Sequence, residues 1–155
     1  TVVGSNNLLM ENSHIGHDSV VGSGCIIGNS TKIAGEVTIH DYAILSACVL
    51  VHQFSNIGSY VMIQGGSRLN KDVPPYIIVG REPARYSGLN IIGLRRRGFS
   101  NETIKSIHEA YREIYESGTI VSTAVARIKE KGNITPEVEY ILNFIEKVSE
   151  RGIIG

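Results

Sequence analysis

Histidine is the reactive residue that stands out in the first third of the chain, where four of the five histidines fall within forty residues. An imidazole titrates near neutral pH, so it can take a proton from a hydroxyl group, and it is also a common metal ligand. The cluster therefore indicates acid–base catalysis or metal binding, depending on how the chain brings the residues together. The four histidines are His14, His17, His40 and His52.

A branched aliphatic residue recurs every six residues through twelve repeats without a break. A helix needs a period near 3.6 and a strand a period of 2, so a period of six fits neither as a single element. It fits a parallel β-helix, in which each hexad forms one side of a prism and three hexads form one coil. The twelve hexads predict four coils with an interior aliphatic column: Val3, Leu9, Ile15, Val21, Ile27, Ile33, Ile39, Leu45, Val51, Ile57, Ile63 and Leu69.

Two further columns keep the same period. The residue two positions before each aliphatic is small or β-branched, with Asn7 the one larger exception. The residue after the aliphatic is often glycine, which predicts a left-handed or crowded backbone there. These glycines are Gly4, Gly16, Gly22, Gly28 and Gly58.

Residues eighteen apart lie directly above one another in such a prism, separated by about 4.8 Å. His17, Gly35 and Gln53 therefore form one column, and His52 lies in the next. A base below a glycine amide suits acyl transfer, because the imidazole can deprotonate a hydroxyl while the N–H group stabilises the oxyanion. Asp18 can orient His17 only if it lies at a corner, since successive strand side chains point to opposite faces; otherwise it is a turn residue.

Four sequence blocks, taken in order, resemble the hexapeptide-repeat acyltransferases and, among them, the UDP-N-acetylglucosamine acyltransferases of lipid A synthesis. The similarity extends over essentially the whole chain and implies a left-handed coil, against the usual right-handed rule for parallel crossovers. The blocks are residues 12–18, 51–54, 72–76 and 90–99.

The resemblance implies transfer of an (R)-3-hydroxyacyl group from acyl carrier protein to the 3-hydroxyl of UDP-N-acetylglucosamine, in a homotrimer with sites between subunits. It assigns His17 as general base and Gly35 as oxyanion donor, with Asp18 beside the base. No metal or tightly bound organic cofactor is implied. The residues matching contacts to the sugar and acyl donor are His14, His52 and Gln53; those matching the nucleotide-binding block are Asn90, Arg96 and Arg97.

Side-chain chemistry and the family resemblance suggest roles for individual residues that bind the nucleotide, the acyl chain and the carrier protein. The arginine fork suits a pyrophosphate, and an asparagine amide suits ribose hydroxyls or uracil. Gly65 matches the family's acyl-chain ruler, where a larger side chain would block the groove. Glu36 replaces a histidine that the family often has, so no function is carried over to it. Three further arginines are candidates for docking the acidic carrier protein: Arg81, Arg85 and Arg95.

The pattern changes after the last hexad. Pro74–Pro75 cannot donate to a ladder, so we expect the β-helix over residues 1–73 and a connecting loop over residues 74–90. We expect a helical domain over residues 91–155, with helices at about 101–117 and 119–131 and a third that begins at Thr135–Pro136. Ile120 is expected to face the helical core with Ala124 and Ile128.

Composition leaves the partner open. With 15 basic and 15 acidic residues, the chain has no overall field that would favour nucleic acid. Two cysteines are too few for a disulfide framework, and no apolar run is long enough to span a membrane, so we expect buried thiols in a cytoplasmic protein. The chain begins in mid-repeat without Met, which suggests the C-terminal part of a longer protein.

Three alternatives are weighed against acyl transfer to the sugar hydroxyl. One is a zinc enzyme like the β-helical carbonic anhydrases, but His14 and His17 lie about two coils, roughly 10 Å, below His52, which is too far for a shared zinc within one subunit. Another is a non-catalytic trimeric scaffold, which should tolerate the loss of His17. The nearest is the sister acyltransferase that modifies the acylated sugar at nitrogen, and residues 90–99 argue against it.

Overall fold

The computed structural model describes residues 1–155, and the repeats coil into a left-handed parallel β-helix. Each third strand joins the same face, in a register of eighteen residues that pairs Val3 with Val21 and Val21 with Ile39. The predicted four-coil prism is therefore confirmed. Its strands are β1 (Val2–Val3), β2 (Leu8–Leu9), β3 (His14–Ile15), β4 (Val20–Val21), β5 (Ile26–Ile27), β6 (Lys32–Ile33), β7 (Thr38–Ile39), β8 (Ile44–Leu45), β9 (Leu50–Val51), β10 (Asn56–Ile57), β11 (Met62–Ile63) and β12 (Arg68–Leu69).

The three faces of the prism are named by their strands. The first face contains β1, β4, β7 and β10; the second contains β2, β5, β8 and β11; and the third contains β3, β6, β9 and β12. Every predicted interior aliphatic from Val21 to Leu69 is at most 3% exposed. Burying one such side chain stabilises the fold by about 1.5–3 kcal/mol, so this column is the main source of cohesion between coils.

Polar residues in the small-residue column bond the coils to one another. The Ser19 hydroxyl donates to the Ala34 carbonyl and accepts the N–H of Val37, which lies eighteen residues further on. Asn7 makes the same two bonds with its amide, donating to Gly22 O at 2.8 Å and accepting from Cys25 N at 2.7 Å. The one large residue in this column therefore fits because its amide reproduces the bonding of a hydroxyl.

Each corner turns on a single left-handed residue, with φ between 56° and 75°. From the second coil onward, the N–H group of this residue donates to a carbonyl of the coil below, as Glu36 does to His17 at 2.8 Å. Cys48 occupies such a position and is exposed, so the expectation of two buried thiols is correct only for Cys25. The corner residues are Asn6, Asn12, Asp18, Gly24, Ser30, Glu36, Tyr42, Cys48, Phe54, Tyr60 and Gly66.

The glycines that follow the aliphatic residues are needed for space. None of them has a positive φ. A Cβ atom at Gly28 would lie 2.5 Å from the carbonyl carbon of Ser46 in the next coil, and one at Gly16 would lie 2.5 Å from that of Ala34. Of the two reasons that the sequence offers for these glycines, crowding is the one that holds.

The predicted connecting loop over residues 74–90 is wrong. Strands β13 (Ile77–Gly80) and β14 (Arg85–Leu89) form an antiparallel hairpin, and β13 adds in parallel to β11 at the top of the second face. Met62 pairs with Ile78, a step of sixteen residues, so the hexad period no longer reveals the strand. The aliphatic run at 77–79 covers the end of the ladder and continues the buried core.

Four helices follow, one more than predicted: α1 (Ile91–Arg96), α2 (Asn101–Glu116), α3 (Val121–Lys131) and α4 (Pro136–Asn143), which continues into a π-helical turn (Phe144–Val148). The predicted caps are confirmed, since Ser100 accepts from Thr103 N and Thr135 from Val138 N. Ile120 is 71% exposed because it precedes α3 as its N-cap, so its predicted core position is wrong. No helix is both long and apolar enough to cross a bilayer.

The helices are anchored to the last coil by buried polar contacts. The Asp72 carboxylate is fully buried and accepts from Asn56 N at 2.7 Å, Ser149 Oγ at 2.7 Å and Arg151 N at 3.1 Å. The Tyr111 hydroxyl on α2 donates to the Pro75 carbonyl at 2.6 Å. These bonds place the helical bundle against the top of the prism.

We expect Gly28→Ala to lower the free energy of unfolding by about 1–3 kcal/mol, because its Cβ would overlap the backbone of the next coil. Gly65→Ala is the matched control: its Cβ would meet nothing closer than Ala47 O at 3.3 Å, so the change should stay within about 0.5 kcal/mol. Denaturant unfolding of both variants measures the difference. Equal stabilities would contradict the crowding argument.

Candidate active site

His17 and Asp18 form a hydrogen-bonded pair at the corner between the third and first faces. The His17 Nδ1 atom lies 2.9 Å from Asp18 Oδ2. Asp18 has the left-handed φ of 57°, a conformation that Asp tolerates well, so its side chain turns back toward its neighbour. The sequence left open whether Asp18 lies at a corner, and it does.

The pair has a defined electrostatic arrangement. The hydrogen bond from His17 holds the pKa of the Asp18 carboxyl below its usual value, so Asp18 is ionised at neutral pH. An ionised carboxylate accepts the proton on Nδ1, which leaves Nε2 as the acceptor nitrogen of a neutral ring. The side chains are 67% and 75% exposed, so a substrate can approach them.

Gly35 lies one coil above, against the acceptor nitrogen. A Cβ atom at this position would come 2.4 Å from His17 Nε2, so the ring occupies the space that any side chain would fill. The Gly35 N–H makes no hydrogen bond within the chain. A base and a free backbone donor are therefore adjacent, which is the geometry that acyl transfer requires.

The remaining predicted contacts surround this corner. His14 lies on the outer side of β3, beside Lys32 of β6, and is exposed. His52 lies two coils above Gly16, and its Nδ1–H donates to the Gln53 carbonyl at 2.9 Å. Gln53 lies in the column of His17 and Gly35, as predicted. His14, in β3, and His52, directly after β9, lie on the third face, which leads into this corner.

The other two histidines lie away from this corner. His40 is half-buried, with its ring edge-on to Tyr140 and Phe144, and burial lowers its pKa. His108 is exposed on α2. No cluster of three or more His, Cys, Asp or Glu side chains that could hold a metal ion is present in residues 1–155.

The predicted nucleotide-binding residues lie at a different corner. Asn90 caps α1, accepting from Gly93 N at 3.3 Å and donating to the Tyr60 carbonyl at 3.0 Å. Arg97 places its guanidinium carbon 4.5 Å above the centre of the Tyr42 ring, and Arg96 is exposed. Tyr42 turns the corner between the first and second faces, so one chain does not bring this group to His17.

Sequence reasoning missed a column of aromatic residues at that corner. Tyr42 and Tyr60 stack at 5.1 Å between ring centres, and Tyr60 and Tyr76 at 5.8 Å. Phe99 packs edge-on against Tyr60 and Tyr76. The spacing of eighteen between Tyr42 and Tyr60 is visible in the sequence and could have predicted the first stacked pair.

Gly65 lies at the remaining corner, between the second and third faces, next to the left-handed Gly66. It is exposed, and a Cβ atom there would meet Ala47 O at 3.3 Å, a tight contact, and nothing else closer than 3.9 Å. Local packing therefore restricts Gly65 much less than it restricts Gly28 or Gly35. The three arginines suggested for carrier-protein docking are also exposed: Arg81, Arg85 and Arg95.

Two family models match the chain. Residues 72–154 match domain 2 of UDP-N-acetylglucosamine O-acyltransferase, and residues 1–35 match the bacterial transferase hexapeptide repeat. Curated relatives include the acyl-acyl-carrier-protein:UDP-N-acetylglucosamine O-acyltransferases of Pseudomonas aeruginosa, 43% identical over 153 residues, and Pseudomonas fluorescens, 42% identical over 153 residues. Each comparison covers 99% of this chain and 59% of the relative.

The chain also matches solved structures of UDP-N-acetylglucosamine acyltransferases. A UDP-N-acetylglucosamine acyltransferase from Bacteroides fragilis superposes with a TM-score of 0.94 at 62% identity, over 97% of this chain and 58% of its own. One from Francisella novicida also gives a TM-score of 0.94, at 40% identity over 99% of this chain and 56% of its own. The chain thus spans a little under three fifths of the length of these proteins.

We expect His17→Ala to raise the pKa of the Asp18 carboxyl toward its usual value, because the hydrogen bond from His17 is the largest cause of its depression. A carboxyl-carbon NMR titration measures this directly. His14→Ala is the control and should leave the Asp18 titration unchanged. An unaltered titration in the His17 variant would mean that the pair does not form in solution.

Proposed function

Since the chain belongs to the UDP-N-acetylglucosamine O-acyltransferase family, we propose that it carries the acyl-transfer site of the first enzyme of lipid A synthesis. The complete enzyme moves an (R)-3-hydroxyacyl group from acyl carrier protein to the 3-hydroxyl of UDP-N-acetylglucosamine. We place the reaction in the cytoplasm. No resident metal or organic cofactor takes part in this proposal.

His17 is the general base of this reaction. Its Nε2 takes the proton of the sugar hydroxyl while the hydroxyl oxygen forms a bond to the thioester carbonyl carbon. The carbonyl oxygen becomes an oxyanion and accepts the Gly35 N–H. When the intermediate collapses, the C–S bond breaks and the imidazolium returns the proton to the departing thiolate. Asp18 stabilises the positive charge that the ring carries between the two steps.

The observation that carries the proposal is the position of the His17 ring. The ring is held by Asp18 through one nitrogen and faces Gly35 with the other, where a backbone donor has no partner. Each of the three residues supplies one requirement of acyl transfer: base, orienting carboxylate and oxyanion donor. The ring approaches Gly35 so closely that no side chain fits there, so the base and the oxyanion donor lie side by side.

We propose a homotrimer in which each site lies between two subunits. Within one chain, His17 and the arginines Arg96 and Arg97 are at different corners of the prism. A substrate that contacts both groups is bound most simply when a second copy brings its nucleotide-binding corner beside the first copy's histidine corner. Asn90 retains one amide hydrogen and one lone pair beyond its two observed bonds, so it can still contact the nucleotide.

The other proposed contacts complete the site. His14, His52 and Gln53 hold the sugar and the acyl donor around the base. Gly65 is the acyl-chain ruler, because its lack of a side chain leaves space at an exposed corner where packing restricts the residue much less than at Gly28. The acidic carrier protein docks on three exposed arginines: Arg81, Arg85 and Arg95.

Replacing His17 with Ala in the complete protein should lower kcat for acyl transfer at least about a hundredfold, the loss expected for a general base. The assay supplies 3-hydroxyacyl carrier proteins of several chain lengths with UDP-N-acetylglucosamine. His108→Ala, an exposed histidine on α2, is the matched control and should retain full activity. Undiminished transfer by the His17 variant, or no transfer by the unaltered protein with any donor, would refute the mechanism.

Gly65→Met should shift the preferred donor toward shorter acyl chains while the protein stays folded, since the nearest atom to the new Cβ is Ala47 O at 3.3 Å and the position is exposed. Gly65→Ala should give a smaller shift in the same direction. The ratio of kcat/KM for short and long donors measures the effect. A uniform loss with every donor, or an unchanged ratio, would remove Gly65 as the ruler.

A further inference from the structure

Three tyrosines form one aromatic column at the corner opposite the third face, and all three have an unusual backbone. Tyr42, Tyr60 and Tyr76 have φ values of 61°, 59° and 73°. A left-handed backbone is unfavourable for a bulky residue and is more readily adopted by Gly, Asn or Asp. Every corner of the prism requires a left-handed residue, so the distinctive feature of this corner is that tyrosine occupies it at three successive levels, which points to a role for the side chains.

The tyrosine column, defined as Tyr42, Tyr60 and Tyr76, holds both ends of the segment 90–99. At the start of the segment, the backbone N–H of Asn90 donates to the Tyr76 carbonyl at 2.9 Å, and the side-chain amide of Asn90 donates to the Tyr60 carbonyl at 3.0 Å. At its end, Phe99 packs edge-on against the rings of Tyr60 and Tyr76. The segment therefore follows the column and has little freedom to move from it.

Arg97 contacts the lowest ring of the column. Its guanidinium carbon lies 4.5 Å from the centre of the Tyr42 ring, within the range of a cation–π interaction. The Tyr42 ring is itself confined, because it stacks on Tyr60 and lies over Gly24, where a Cβ atom would come 2.5 Å from two ring carbons. An exposed arginine, normally flexible, thus rests on a rigid surface.

We infer that Tyr42 is a positioning residue for nucleotide binding, holding the Arg97 guanidinium in the orientation in which it meets the pyrophosphate of the sugar nucleotide. This inference rests on the proposed function, which assigns Arg97 to the nucleotide. A guanidinium held on a ring face keeps its N–H fork directed outward and loses less freedom when an anion binds. Tyr42 contributes to affinity through Arg97, without touching the substrate itself.

A purely structural role for the column is the alternative. Tyr60 and Tyr76 pack against Phe99, and Tyr76 also against Tyr140 of α4, so replacing either would disturb the docking of the helices. Tyr42 has no aromatic contact with the helices: its ring stacks on Tyr60, lies over Gly24 and carries the Arg97 guanidinium. It is therefore the residue at which the two roles can be separated.

The experiment compares Tyr42→Phe, Tyr42→Leu, Arg97→Ala and the double variant Tyr42→Leu/Arg97→Ala in the complete protein. Leu removes the π face at similar backbone cost, whereas Phe keeps it. Dissociation constants for UDP are measured by calorimetry, and KM values for both substrates by acyl-transfer assay. Thermal unfolding monitors the fold.

We expect Tyr42→Leu to weaken UDP binding about threefold to tenfold, the range of an exposed to partly desolvated cation–π contact, and to leave the KM for the acyl donor unchanged. Tyr42→Phe should stay within about twofold of the unaltered protein. In the Arg97→Ala background, Tyr42→Leu should add no further loss, because the ring acts only through that guanidinium.

Additive losses in the double variant would overturn the inference, as would equal effects of Leu on both substrates or a loss of UDP affinity in the Phe variant. Failure of the proposed function gives a different result: the unaltered protein would bind UDP in a Tyr42-dependent way and transfer no acyl group. An unaltered protein that binds no UDP would remove the nucleotide from Arg97 and the inference with it.

Discussion

Hydrogen bonding between successive coils, in a register of eighteen residues, is the constraint on which the rest of this structure depends. The strand residues on the faces and the left-handed residues at the corners donate their N–H groups to carbonyls of a neighbouring coil, because an unpaired buried amide is costly. The pairing of Val3 with Val21 and Val21 with Ile39 repeats on all three faces. Because every coil in this register has the same length of eighteen residues, that length determines which side chains meet, both inside the prism and on its surface.

The same register explains why much of the site could be predicted from sequence. Adding eighteen to 17 and to 35 gave the column of His17, Gly35 and Gln53, and the structure places the His17 ring directly against Gly35. The interior column was predictable for the same reason. Where the period breaks, the hexad pattern no longer predicts strands: β13 pairs with β11 at a step of sixteen residues, so the period does not reveal the hairpin over 77–89.

Other features depend on packing that no period reveals. Asn90 was predicted from family resemblance as a nucleotide contact, yet its amide also caps α1 and bonds the Tyr60 carbonyl. The short helix α1 itself was not predicted, because six residues are too few to show a helical period. Ile120 fitted the helical spacing of α3 but precedes the helix, where the spacing no longer applies.

The fixed length of the coil also restricts how such a protein can change length. Removing or adding eighteen residues shortens or lengthens the prism by one level and returns every later residue to its own face. Adding a single hexad between Gly35 and Tyr42 would instead rotate everything above it by one third of a turn. The tyrosine column and the helical bundle would then stand over a different face from the one beside His17, although each hexad would still satisfy its own packing. Insertions that keep local sequence rules can thus dismantle the spatial relation between the two halves of the site, and whole coils are the unit in which this architecture tolerates growth.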